Sequence, residues 1–256
     1  MGFETAVSEA VLRLRRPDTR WLSTGFDGGF AEASTAYNVS VPEGWERTDL
    51  DAYVAGRLDA AGFASPGDDP AGPALLTGVD MGHARVARAG PVVAVATAGV
   101  SNPAALPMDA AAVAGGDGSD GVPARADESP RVDAADRPGR GTVNVLVATT
   151  RRLDDGALAN LVAVAAEAKA ATLLSATGFP GTTTDAVVAG SARDGEPAAF
   201  SGSATPVGSA ARACVRDAVR ASLDSRYAAG DVPLPDSVDD AEYGVVTDRE
   251  TEVTRP

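Results

Sequence analysis

The chain has 256 residues, with 36 acidic and 22 basic side chains and a formal charge of −14 when its one histidine is neutral. That length supports one large core or two small ones, and with no basic stripe it argues against nucleic acid as a partner. Acids spread through loops and tails, and one lysine against 21 arginines, form the surface of a protein kept soluble in concentrated salt, where high net charge opposes association.

The N-terminal MGFETAVSEAVLRLRRPD places its acids before its arginines and lacks a long apolar core, so no secretory signal is expected. The apolar runs read as too short to cross a bilayer, so no membrane span is expected. A single cysteine, Cys214, rules out an internal disulfide and fits a reducing cytoplasm. RWLSTGFDGGFAEASTAYNVSVP predicts two extended segments around a tight turn, with Asp27-Gly28 supplying positive φ. TDLDAYVAGRLDAAGF predicts a helix, with Thr48 and Asp51 in a capping-box-like spacing. ALLTGVD, HARVARAG and PVVAVATAGV predict three short strands separated by Gly and Pro signals.

From 109 to 140 no apolar period survives among Gly, Pro and Asp, which predicts a disordered insertion. GTVNVLVATT then predicts a buried strand, followed by a helix from about Asp155 to Ser175 and a strand in TTTDAVVAGSA. PVGSAARACVRDAVRASLDSRY predicts a last amphipathic helix, with Val207, Ala211, Cys214, Ala218 and Ala221 on one face. Residues 1–228 thus read as one domain, and 229–256 as an acidic flexible tail. Short, largely antiparallel strands with three to four helices predict a mixed α+β fold. An α/β sheet is the alternative, since strand–helix–strand occurs across 141–191.

Charged residues make up 23% of the chain, so a 37-residue window should hold about eight or nine; Gly156–Ala192 holds three, Glu167, Lys169 and Asp185. This segment is therefore expected to be interior. On a helix, Leu158, Leu161, Val162, Ala165, Lys169, Thr172 and Leu173 share one face, with Glu167 about 200° from Lys169. A buried ammonium needs a carboxylate to keep its proton, and Asp185, beyond the Gly/Thr loop, is the nearest in sequence. Two readings stay open: an ion pair that fixes the loop, or charges kept for chemistry.

Other candidates are individually weaker. His83 is the one histidine, and a lone histidine is more often hydrogen-bonded or exposed than catalytic. A zinc site would have to draw on carboxylates, so no metal is expected. Asn102 and Asn144, at the end of and inside apolar strands, either bond backbone or present amides to a ligand. The Thr182–Thr184 loop offers backbone N–H groups to an anion. Six of twelve aromatic residues, among them Phe26 and Tyr37, lie between Trp21 and Tyr53, as a local core or as a platform for a large flat ligand.

In order, LSTGFDGGFAEASTAYNVSVP, LLTGVDMGHARVA, VATAGVSNPAA, GTVNVLVAT with LDDGALANLVAVAAEAKAATL, and GFPGTTTDAVVAG resemble the adenosylcobinamide amidohydrolases of corrinoid salvage. The chain departs from that pattern at Asp27, where Asn is frequent, and at Thr183, where a second Gly is frequent. The resemblance implies hydrolysis of the amide joining cobyric acid to aminopropanol in adenosylcobinamide, with the corrinoid as substrate and no cofactor. Amide hydrolysis needs a base, oxyanion donors and an acid for the leaving amine. On chemistry alone, Asp185 or Glu167 is the base, Lys169 with the Thr183 and Thr184 backbone stabilises the oxyanion, and His83 protonates the amine. Asn102, Asn144 and Tyr37 are candidates for the aminopropanol hydroxyl, whose recognition would spare the primary amides of the corrin rim. The rival readings are a non-catalytic corrinoid-binding protein and a Thr-nucleophile acyltransferase or self-processing amidase, which predicts a covalent acyl-enzyme or chain cleavage before Thr142 or Thr182. The sequence does not set the oligomeric state.

Overall fold

Strand β1 (Glu4–Ser8) turns back at Glu9–Ala10 into β2 (Val11–Ser23), which returns as β3 (Gly29–Ser40). The structure, a computed structural model, describes residues 2–42, 49–64, 72–108, 141–228, 230, 233–249 and 251–256, so the expected insertion at 109–140 lies outside them. Helix α1 (Leu50–Ala60) and strands β4 (Ala74–Thr77), β5 (Arg85–Ala89) and β6 (Val92–Ala98) follow, and then β7 (Pro103–Ala105). The second half runs β8 (Val143–Thr149), α2 (Asp155–Thr177), β9 (Gly181–Thr182), β10 (Ala186–Ala192), α3 (Pro206–Tyr227) and β11 (Val245–Val246).

The main sheet has the order β4-β3-β2-β10-β8-β6-β5, with β1 beside the first half of β2. Among the described residues six strand pairings are antiparallel and three parallel. The units β3–α1–β4 and β8–α2–β10 supply the parallel pairs of the main sheet. The described residues thus form a mixed α+β domain with three α-helices. β2 and β3, at 13 and 12 residues, are longer than the short strands expected. The Asp27-Gly28 turn also differs in detail: Asp27 has φ +45°, but the glycine with positive φ is Gly29, at +115°.

The sheet curls on itself, because groups on strands far apart in its order meet across its inner face. Asn38 on β3 donates its amide to the Thr97 hydroxyl on β6 at 2.8 Å. Asn144 on β8 donates to Asn38 Oδ1 and to the Leu76 carbonyl on β4, each at 2.9 Å. The two-residue period of β8 sorts the rest. Leu146 points inward with Leu12, Trp21, Val95 and Val188. Val143, Val145 and Val147 point outward against Leu158, Leu161 and Leu173 of α2 and Val215 and Val219 of α3. Each such Leu or Val contributes about 1.5–3 kcal/mol by its burial. Tyr37 and Val39 face the other way on β3 and bury α1 through Tyr53 and Leu58.

Local signals set the helix ends. Asp154 caps α2 by accepting from Ala157 N–H at 2.7 Å, and Gly178 closes it at φ +80°. Thr205 caps α3, with Pro206 in its first turn. Asp49 caps α1 through the Ala52 N–H at 3.0 Å; Thr48, the expected cap, lies outside the described residues. Contrary to the expectation that apolar runs are too short, α2 has the length and apolarity of a membrane span, yet half of its most apolar window is buried inside the fold. Cys214 is buried in α3, and that burial pushes its thiol up from the ordinary range.

Gly190 on β10 is a tight spot: a Cβ there would stand 2.4 Å from the Trp21 ring, which is held by its indole N–H to the Ala33 carbonyl at 2.9 Å. Gly190→Ala is expected to destabilise by about 1–3 kcal/mol, read as a lower thermal midpoint and altered tryptophan fluorescence. Unchanged values would contradict this packing.

Candidate active site

The charge-poor segment converges on one carboxylate. α2 brings Lys169 to the N-terminal edge of β8 and β10, where Asp185 immediately precedes β10. The Lys169 ammonium pairs with Asp185 Oδ2, and the two side chains are only 11% and 10% exposed. The Val143 N–H donates to Asp185 Oδ1 at 2.9 Å, the Thr182 N–H to Oδ2 at 3.0 Å, and the Thr182 hydroxyl to Oδ1. Four donors therefore converge on a group with about four acceptor positions. Gly181 permits this approach, since a Cβ there would stand 2.9 Å from Asp185 Oδ2 and 3.4 Å from Lys169 Nζ.

A second, three-stranded sheet in the order β11-β7-β9 frames the loop. Pro103 pairs with Thr182, and the Thr183 N–H donates to the Asn102 carbonyl at 3.1 Å. Val245 and Val246, within the segment read as a flexible tail, pair in parallel with Ala104 and Ala105. The Thr142 and Thr184 hydroxyls lie 2.7 Å apart beside Asp185. Asn102 is 1% exposed, and its Nδ2 has no hydrogen-bond partner among the described residues. A buried amide donor left without a partner costs about 1–3 kcal/mol unless something fills it.

The structure separates the sequence candidates. It joins Lys169 to Asp185 and keeps Thr183 and Thr184 in the adjoining loop, which Asn102 meets through its backbone carbonyl. Glu167 is not at the pair: it is exposed and bonded to Arg212 of α3 at 3.0 Å, because it lies on the opposite side of α2. That corrects its candidacy as base. His83 sits half-buried in a 3₁₀ turn, with Nδ1 3.1 Å from the Ser225 hydroxyl of α3, and makes no contact with Lys169 or Asp185. Asn144 lies on the inner face of the sheet, while Lys169 lies on the helix-covered face, so the two are separated by the sheet itself. Tyr37 is buried under α1, with its hydroxyl on the Phe63 carbonyl at 3.2 Å, and is a core residue. The Thr183 N–H is occupied by Asn102 and is not an open oxyanion donor.

Phe26 has a different standing. It is 39% exposed in the β2–β3 turn. That turn is pinned to β10 by Thr24, whose hydroxyl accepts from the Val187 N–H at 3.0 Å, two residues past Asp185. Sequence reasoning named Thr182 for its loop and as a candidate Thr nucleophile but not for its double grip on Asp185, and it missed Asn38, which holds Asn144. An inward-facing Asn in the alternation of TAYNVSV was the available signal for Asn38.

A model of the adenosylcobinamide amidohydrolases matches residues 3–231. The chain belongs to that family. A Halobacterium salinarum protein named adenosylcobinamide amidohydrolase is 56% identical over 254 residues, covering 99% of this chain and all of the relative. A Methanosarcina mazei protein of the same name is 26% identical over 221 residues, covering 82% of this chain and 92% of its own. The amidohydrolase family match spans every strand and helix named above except β11, so the buried pair and its loop lie inside it.

Proposed function

We propose that the chain hydrolyses the amide between cobyric acid and aminopropanol in adenosylcobinamide at the Lys169–Asp185 site. The end-to-end likeness to amidohydrolases carries the reaction, and the buried pair carries the location. The ammonium has three donors and places one on Asp185, leaving two for the oxygen that becomes an oxyanion. Asn102, whose Nδ2 lacks a partner among the described residues and whose carbonyl holds the Thr183 N–H of the same loop, is the candidate for a further donor. Asp185 Oδ1 is the base, and the hydroxyl it now holds marks where a proton is taken up and from which it returns to the leaving amine. With Glu167 and His83 both placed elsewhere, Asp185 serves both halves of the proton transfer.

Phe26, exposed at the same end of β10, supplies an apolar surface for the corrin face. Phe26→Ala is expected to raise KM about tenfold or more with kcat little changed, since it removes contact made equally in ground and transition states. A fall in kcat at constant KM would contradict that role. The reaction itself is tested by incubating the protein with adenosylcobinamide in concentrated salt and weighing the products. Adenosylcobyric acid and aminopropanol are expected in equal amounts, and intact adenosylcobinamide bound tightly without release would refute hydrolysis.

A further inference from the structure

We propose that Thr182 is the nucleophile, so that its hydroxyl rather than a free water attacks the substrate amide and carries the acyl group. This rests on the amidohydrolase reading above. Asp185 has its acceptor positions filled by Lys169, Val143 N–H and the two donors of Thr182. While that loop is intact, a water finds no lone pair of Asp185 to receive its proton. The hydroxyl already in place is that of Thr182.

Hydroxyl, carboxylate and orienting cation thus follow one another as Thr182, Asp185 and Lys169, the arrangement that activates a weak nucleophile. The neighbouring Thr142 and Thr184 hydroxyls bond each other at 2.7 Å, and neither donates to Asp185. Thr182, Lys169 and Asp185 are each nearly but not wholly buried.

The step balances. The Thr182 oxygen bonds to the amide carbon as its proton passes to Asp185 Oδ1. The carbon–nitrogen bond breaks and that proton goes to nitrogen, releasing aminopropanol and leaving an ester on Thr182. An esterified Thr182 no longer donates to Asp185, so one acceptor position falls open. Water then enters there, gives its proton to Asp185 and attacks the ester carbon. The ester bond breaks, the proton returns to the Thr182 oxygen, and one water has been consumed. Lys169 stays an ammonium throughout.

The test uses the full chain with adenosylcobinamide, quenched during turnover for intact-protein mass and run in parallel with hydroxylamine. The expected result is a cobyric acyl adduct on the peptide containing Thr182, with part of the product diverted to the hydroxamate. Thr182→Ala should lose turnover by about a hundredfold or more while Thr182→Ser keeps it within about tenfold. Turnover by Thr182→Ala within about tenfold of the parent, with no adduct and no hydroxamate from the parent, would overturn the proposal. Should the alanine variant fail to fold, the adduct and hydroxamate arms on the parent protein decide alone. A parent that releases no aminopropanol at all would sink the amidohydrolase reading and this proposal with it; a parent that releases it without adduct or hydroxamate sinks only the nucleophile.

Discussion

Asp185→Asn is expected to cost at least about a hundredfold in kcat and about 3–5 kcal/mol in stability. The substitution keeps the shape but cannot keep the bonding. Asp185 accepts from the Lys169 ammonium, the Val143 N–H, the Thr182 N–H and the Thr182 hydroxyl. An asparagine amide replaces one acceptor oxygen with two donors, so a donor must face a donor whichever way the amide turns. Lys169 meanwhile keeps a buried charge that nothing neutralises. The loss in stability is read by chemical denaturation and the loss in turnover by aminopropanol release. Asp185→Glu should rescue neither fully, because the longer side chain overfills the space against which Gly181 is already closely placed. A variant with parental stability and turnover would show that the carboxylate is a bystander.

Lys169→Met is the complementary experiment. Methionine matches the stem and removes the charge, so the packing of α2 between sheet and α3 is retained. Asp185 retains three donors, and the chain is expected to fold with a lowered thermal midpoint. Catalysis loses its oxyanion cation, which is worth on the order of 10²–10³ in kcat for one donor. The two substitutions should not add. Once either member is gone the other is an isolated group, so the double variant should lose little more than the worse single one. Additive losses would mean that the residues act independently.

How much of this was visible in the residues follows from where local chemistry agrees with the fold. The dearth of charge across Gly156–Ala192 and the lysine on an apolar helical stripe located the ion pair, because burying an unpaired ammonium is so unfavourable that a partner had to exist. The starts of α2 and α3 fall where the sequence placed them, at about Asp155 and at Pro206. The hairpin of β1 and β2 was not. Its two-residue turn puts Glu9 and Ala10 at φ +46° and +57°, positions normally given to Asn and Gly, so no turn signal marks it. Pro17 and Asp18 hid β2 in the same way, since the strand passes them through a register shift between Arg15 and Thr19.

The site was legible in its charges and not in its neutral groups. Tyr37, Asn144 and Asn102 are equally plausible hydrogen-bonding residues in one dimension. The faces of β3 and β8 send the first under α1 and the second to the inner side of the sheet, and only the third meets the Thr182–Thr184 loop, through its carbonyl on the Thr183 N–H. That sorting depends on the curl of the sheet, which is a property of long-range pairing. Likewise Val245 and Val246, two exposed residues amid acidic sequence, give no hint that they complete the sheet bearing Thr182.

The most direct test compares aminopropanol release from adenosylcobinamide by the parent chain, Lys169→Met and Glu167→Gln under identical high-salt conditions. Glu167→Gln removes only an exposed pair with Arg212, worth about 0–1 kcal/mol, and should keep turnover close to parental. Lys169→Met should be slower by on the order of 10²–10³ while remaining folded. The opposite ranking, with the methionine variant active and the glutamine variant inactive, would contradict the assignment of the chemistry to the buried pair.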